Sequence, residues 1–103
     1  MFNTGNMQQM IKQAQKLQEE VRRKQEELEQ MEIEVSSGGG VVKIKFLGNK
    51  APQQIKIDPK VVDADDVESL EDLILAAMKE GMQRVDELRK EIMGDFDKLG
   101  GMF

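Results

Sequence analysis

The chain has 103 residues, 15 Lys and Arg against 20 Asp and Glu for a net charge of −5, and neither cysteine nor histidine. The lack of cysteine rules out disulfides and thiolate chemistry, the lack of histidine removes the commonest general base, and the acidic total argues against indiscriminate attraction to nucleic acid or anionic membrane. A chain this short buries only about two-thirds of its unfolded surface, so a single domain over residues 1–103, helped by a second copy, is expected.

The first six residues are polar and contain glycine, the composition of a frayed end. From Met7 onward Met10, Ala14, Leu17, Val21, Lys24, Leu28 and Met31 recur at alternating spacings of four and three, a heptad seam with one lysine in it. That spacing predicts a helix over about 7–31, roughly 37 Å long at 1.5 Å per residue. Lys24 can lay its stem on the seam and lift its ammonium to water.

Three runs of alternating apolar and polar residues follow between Glu32 and Asp58, separated by Gly38-Gly39-Gly40 and by Gly48-Asn49-Lys50. Alternation with period two predicts strands, and the glycine-rich breaks supply the backbone angles of tight reversals. The expected unit is a three-stranded antiparallel meander. Ile33, Val35, Val42, Ile44, Phe46, Ile55 and Ile57 share its buried face. Glu32, Glu34, Lys43, Lys45 and Lys56 stand on the other face as opposite-charge neighbours. The three glycines lie between strands and lack a following Lys-Ser/Thr, so they read as a hairpin turn and not as a phosphate cradle.

Pro59 closes the third strand. Asp65 or Asp66 suits the N-cap of a second helix, over about 65–98, with Glu68, Glu71 and Asp72 in or near its first turn, where the helix dipole favours acids. Capping explains this acidic cluster better than a metal does, since it lacks the glycine and distant glutamate of a calcium loop. Val67, Leu70, Ile74, Ala77, Gly81, Val85, Leu88 and Ile92 form the apolar stripe of that helix, and Gly94 or Gly100-Gly101 is expected to end it.

The fold class is therefore α+β, an α-β-β-β-α subunit whose two long helices overhang a small sheet. Their apolar stripes are too large to leave in water, and a homodimer is the simplest closed solution. Met10, Leu17, Val21, Val42, Ile44, Phe46, Ile55, Leu70 and Ile74 are the expected core and dimer residues. No apolar run approaches the roughly 20 residues of a membrane span and no secretory signal opens the chain, so a soluble cytoplasmic protein is expected. The remaining carboxylates and lysines all have a solvated-helix explanation. Neither an enzyme, a cofactor, a metal nor a small-molecule substrate is expected.

Asn6-Met7, Lys12-Gln13-Ala14-Gln15, Gly38-Gly39-Gly40-Val41-Val42, Gly48, Ile55-Lys56-Ile57-Asp58-Pro59 and the run from Glu68 to Ala77 together resemble the YbaB/EbfC family of bacterial nucleoid-associated proteins. The resemblance covers about residues 6–93. It implies a tight homodimer whose projecting helical arms grip duplex DNA in the nucleoid, with roles in nucleoid organisation and gene regulation. Lys79 and Gly81 depart from the residues usual there, and the tail after Asp97 is shorter than in many members.

Phosphate contacts need exposed Lys or Arg and carry affinity without sequence information. Lys12, Lys16 and Arg23 fall on one polar face of the first helix beside Gln9 and Gln13, with Glu20 interrupting and Arg22 nearby. On the second helix Arg89, Lys90 and Lys98 are auxiliaries among competing acids. The alternative reading is a prefoldin-like scaffold or chaperone dimer that holds another protein between its arms, to which the methionine-rich stripes and acidic total are suited.

Overall fold

The computed structural model describes residues 4–99. The elements run α1 Thr4–Gln30, β1 Glu32–Ser37, β2 Val42–Leu47, β3 Pro52–Ile57, a short 3-10 turn Pro59–Val61, and α2 Val67–Leu99. The three strands form one antiparallel sheet in the order β1-β2-β3. The expected α-β-β-β-α order stands, with two adjustments at helix ends. Helix α1 already begins at Thr4, inside the polar stretch read as frayed. Helix α2 passes straight through Gly94, where an added Cβ would meet nothing within 4 Å. One glycine costs a long helix only about 1 kcal/mol, too little to stop it. Gly100-Gly101, the other expected terminator, lies outside the described residues.

Turn chemistry fixes the strand register. Gly38, Gly39 and Gly40 have φ of 59°, 74° and 98°, and the Gly40 amide donates to Ser37 O at 3.1 Å. The Ser37 hydroxyl donates to Leu73 O at 2.6 Å, tying this turn to the start of α2. At the other hairpin the Lys50 amide donates to Leu47 O and Lys50 takes φ 69°, a left-handed position usually given to glycine or asparagine. In the link to α2, Asp63 Oδ1 accepts from the Asp65 amide at 2.9 Å. Asp66 is the N-cap, accepting from the Ser69 amide at 3.3 Å and hydroxyl at 2.7 Å. The acidic cluster is thus used locally, and among the described residues no group of acids could hold a metal ion.

The core forms where α2 crosses β1 and β2. Val35, Val42, Ile44 and Phe46 from the sheet pack with Ala77 and Val85 from α2. Gly81 is explained here: a Cβ on it would lie 2.1 Å from the Phe46 ring, so the ring occupies the place of a side chain. Leu28, 1% exposed, anchors the end of α1. Gly48 lets the second hairpin come so close that its Cβ would overlap the Leu28 carbonyl, and the Gly48 amide donates to Met31 O at 3.0 Å.

Beyond the sheet, α1 and α2 pack along each other, with Leu17 and Val21 half-buried on α1 and Val85 and Met93 buried on α2. Lys24 stays exposed on that seam with its ammonium 3.6 Å from Glu27, as snorkelling requires. The molecule measures 77 × 18 × 16 Å with a radius of gyration of 21.0 Å. A compact chain of this length would have about 13 Å.

Three expectations need correcting. Met10, 59% exposed, lies beyond the packed part of the helix pair. Ile55 faces the same side of the sheet as Ile44 but is 47% exposed, because β3 lies outside the strip that α2 covers. On the solvent face, opposite-charge pairing holds only for Lys45, which sits across from Glu34 and 3.8 Å from Glu32. Lys43 lies between Ser36 and Lys56 instead.

Candidate nucleic-acid interface

At 100° per residue, Lys12, Lys16 and Arg23 fall within about 40° of arc on α1, on the side away from the Leu17, Val21 and Leu28 seam. All three are exposed, and none has an ion-pair partner among the described residues. No acidic residue occupies the first turn of α1. From residue 5 to residue 16 every side chain is exposed, so this half of α1 is a rod reachable from all sides.

Arg22 is different. Its Nη1 donates to Glu26 Oε1 at 2.7 Å, its Nε donates to Glu19 Oε2 at 3.2 Å, and its Nη2 pairs with the other Glu19 oxygen. These hydrogen bonds, and then the charge of Arg22, hold the Glu19 carboxyl below its usual range, and the same contacts raise the guanidinium. Such exposed pairs add little stability, but they occupy the donors that a phosphate would need. On α2, Arg89 and Lys90 are exposed, Arg84 lies 3.4 Å from Glu87, and the Lys98 side chain lies outside the described residues. The candidate cations therefore divide into three without an ion-pair partner among the described residues, one arginine held by two glutamates, and exposed cations on the companion helix.

A second feature lies on the body. Ile44, Phe46, Pro52, Gln53, Gln54, Ile55, Ile74 and Met78 line an open groove of about 350 Å³ between β3 and α2. Next to it Leu75 (50%), Met78 (40%) and Met82 (48%) are exposed at spacings of three and four, on one helix face. The sequence read as a stripe the residues facing the sheet, and this parallel stripe at positions 75, 78 and 82 was missed. A second apolar set beside the first was the signal that could have found it. Also missed was the ion pair between Lys50 Nζ and Asp86 Oδ1, 2.9 Å long, which ties the second hairpin to α2. Among the described residues, no helix is long and apolar enough to cross a membrane.

Residues 3–102 match the model of the YbaB/EbfC DNA-binding family. A nucleoid-associated protein of Ruminiclostridium cellulolyticum is 47% identical over 103 residues, covering 96% of this chain and 90% of that protein. Another, from Acetivibrio thermocellus, is 44% identical over 103 residues, covering 96% and 91%. The crystal structure of the uncharacterized protein HP0035 from Helicobacter pylori superposes with a TM-score of 0.70 over 93% of this chain and 98% of that one. At 20% identity it shows a shared fold. With a family match spanning almost every residue and close relatives covered nearly end to end, the chain belongs to the YbaB/EbfC DNA-binding family.

Proposed function

We propose that two copies of this chain join through the β3 and α2 face of the body and grip duplex DNA with their helical arms, as a nucleoid-associated protein that helps organise the nucleoid and regulate genes. Family membership and the names of the relatives support the DNA-binding, nucleoid-associated part of this reading. The observation that carries the grip is the row of Lys12, Lys16 and Arg23, without an ion-pair partner among the described residues and exposed on a rod that reaches past the body. On a chain of net charge −5, these positions concentrate positive charge where a duplex can approach without meeting the acidic body.

The apolar groove supports the dimer. Ile55 and Met78 line this groove beside an unpaired sheet edge, and Leu75 and Met82 are exposed on the same helix face as Met78; these features favour cover by a second copy related by a two-fold axis. Each arm would neutralise about two to three phosphates, so the logarithm of affinity should fall with the logarithm of salt by about 0.9 per phosphate. A gel-shift series on duplex DNA across salt, comparing the native protein with the Lys12→Glu/Lys16→Glu variant, tests the grip. A shift that ignores those charges sinks it. Sedimentation tests the dimer: the native chain should run at twice its mass, and Leu75→Glu/Met78→Glu should run as a monomer.

A scaffold role, with another protein held at the arms, draws support from Met7, Met10 and Ile11, which are 54%, 59% and 54% exposed near the free end of α1. Absence of any duplex binding at low salt would favour it.

A further inference from the structure

The solvent face of the sheet carries an unexplained cost. The strand register sets Lys43 directly across from Lys56, and like charges at opposed positions repel. Neither has an ion-pair partner among the described residues, whereas the neighbouring Lys45 is offset by Glu32 at 3.8 Å. Lys43, Lys45, Gln54 and Lys56 line one shallow depression on this face, with Glu34 at its β1 side. Lys60 is exposed just beyond, in the 3-10 turn that follows β3. Lys43 and Lys56 stand next to the last ladder pair before the Gly38–Gly40 turn, at the end of the sheet away from the attachment of α1. The arm cations Lys12 and Lys16 lie beyond the other end of the sheet, Lys16 about 21 Å up α1 from Gln30 at 1.5 Å per residue. Between the two sets, Glu26, Glu27 and Glu29 close α1, and Glu32 and Glu34 open β1.

We propose that Lys43 and Lys56, with Lys45 and Gln54 beside them, form a second surface that binds the nucleic-acid backbone, separate from the arm. A phosphate seated over the pair would turn their mutual repulsion into two charge-assisted hydrogen bonds, and the Gln54 amide can donate a third. The acidic belt keeps the two cationic surfaces from acting as one track, so a single protomer holds two backbone segments. This inference rests on the DNA-binding reading above and extends it from the arm to the body.

Its test is a stoichiometric titration with a duplex of about 8 base pairs, roughly 27 Å at 3.4 Å per pair and shorter than the roughly 34 Å of helix and strand between Lys16 and the level of Lys43. The native dimer should take up three duplexes, one between its arms and one on each body. Lys43→Gln/Lys56→Gln should take up one per dimer, with the affinity of the remaining class unchanged and a melting temperature equal to or above that of the native protein. Lys43→Arg/Lys56→Arg should keep both classes. Lys12→Glu/Lys16→Glu should keep the body class and lose the other. One class in the native protein, lost in the arm variant and untouched by Lys43→Gln/Lys56→Gln, overturns the second surface and leaves the arm reading standing. No duplex bound by the native protein at low salt overturns both.

Discussion

The body and the arm of this chain are held by different means. In the body, α2 presses on two strands and everything is decided by close packing: Val42 is 0% exposed, Phe46 2%, Ala77 0%, and Gly81 is small because the Phe46 ring fills its place. In the arm, Leu17 and Val21 are only half-buried, α1 is exposed all round over residues 5–16, and its side-chain contacts are surface pairs such as Arg22 with Glu19 and Glu26. The body spends its side chains on staying folded, which leaves the arm's cations unengaged. Substitutions in the buried core of the body should therefore change melting and spare binding, and those at the arm's exposed cations should do the reverse.

The strongest attack on this division is Phe46→Ala. It removes a buried ring and leaves a cavity against Gly81, for a loss of about 3–5 kcal/mol in chemical denaturation. Next comes Gly81→Ala, where overpacking against the ring costs about 1–3 kcal/mol and the better helix propensity of alanine returns about 1. A lower melting temperature is expected, and a rise would show that the ring can move aside. Either variant, while folded, should bind duplex DNA as the native chain does.

On the arm, Lys12→Glu/Lys16→Glu should leave thermal unfolding unchanged and weaken duplex binding by about tenfold or more at low salt, equivalent to about 1.4 kcal/mol. The smallest effect is expected of Glu19→Gln, which loosens the hold on Arg22. It should tighten DNA binding by about twofold and steepen the salt dependence, because one more guanidinium can reach a phosphate. The sign with pH follows from the lowered Glu19 carboxyl. Its contribution to arm helicity is present above the ordinary carboxylate range and is lost as pH falls through its depressed value, a small decrease that circular dichroism of the folded protein would record.

The fold was legible because local signals agreed. Alternation from Glu32 to Leu47, three glycines at a turn that needs positive φ, and Asp66 three residues before Ser69 each report a short-range fact, and short-range facts survive in a sequence. That Lys12, Lys16 and Arg23 share one exposed face of α1 was legible for the same reason, since helical spacing alone puts them together. What sequence could not give was the reach of α2 across the sheet. Whether Ile55 lies under α2 or beside it depends on where a helix 20 residues further along crosses, and nothing local encodes that. The strand register was equally hidden. Lys43 and Glu34 alternate correctly for the same face, yet the ladder offers Glu34 to Lys45 and leaves Lys43 against Lys56.

The close approach at Gly48 bears on how the rods can act. Only Met31 separates α1 from β1, its carbonyl is taken by the Gly48 amide, and the Leu28 carbonyl rests against the glycine where any side chain would collide. A joint so short and so tightly seated has no spare backbone torsion, and the root of the rod cannot swing without unzipping the hairpin. That seating opposes a jaw-like closure at this joint. In the dimer proposed above, the gap between two such rods would be a fixed gauge, and a duplex would have to fit it or bend to fit.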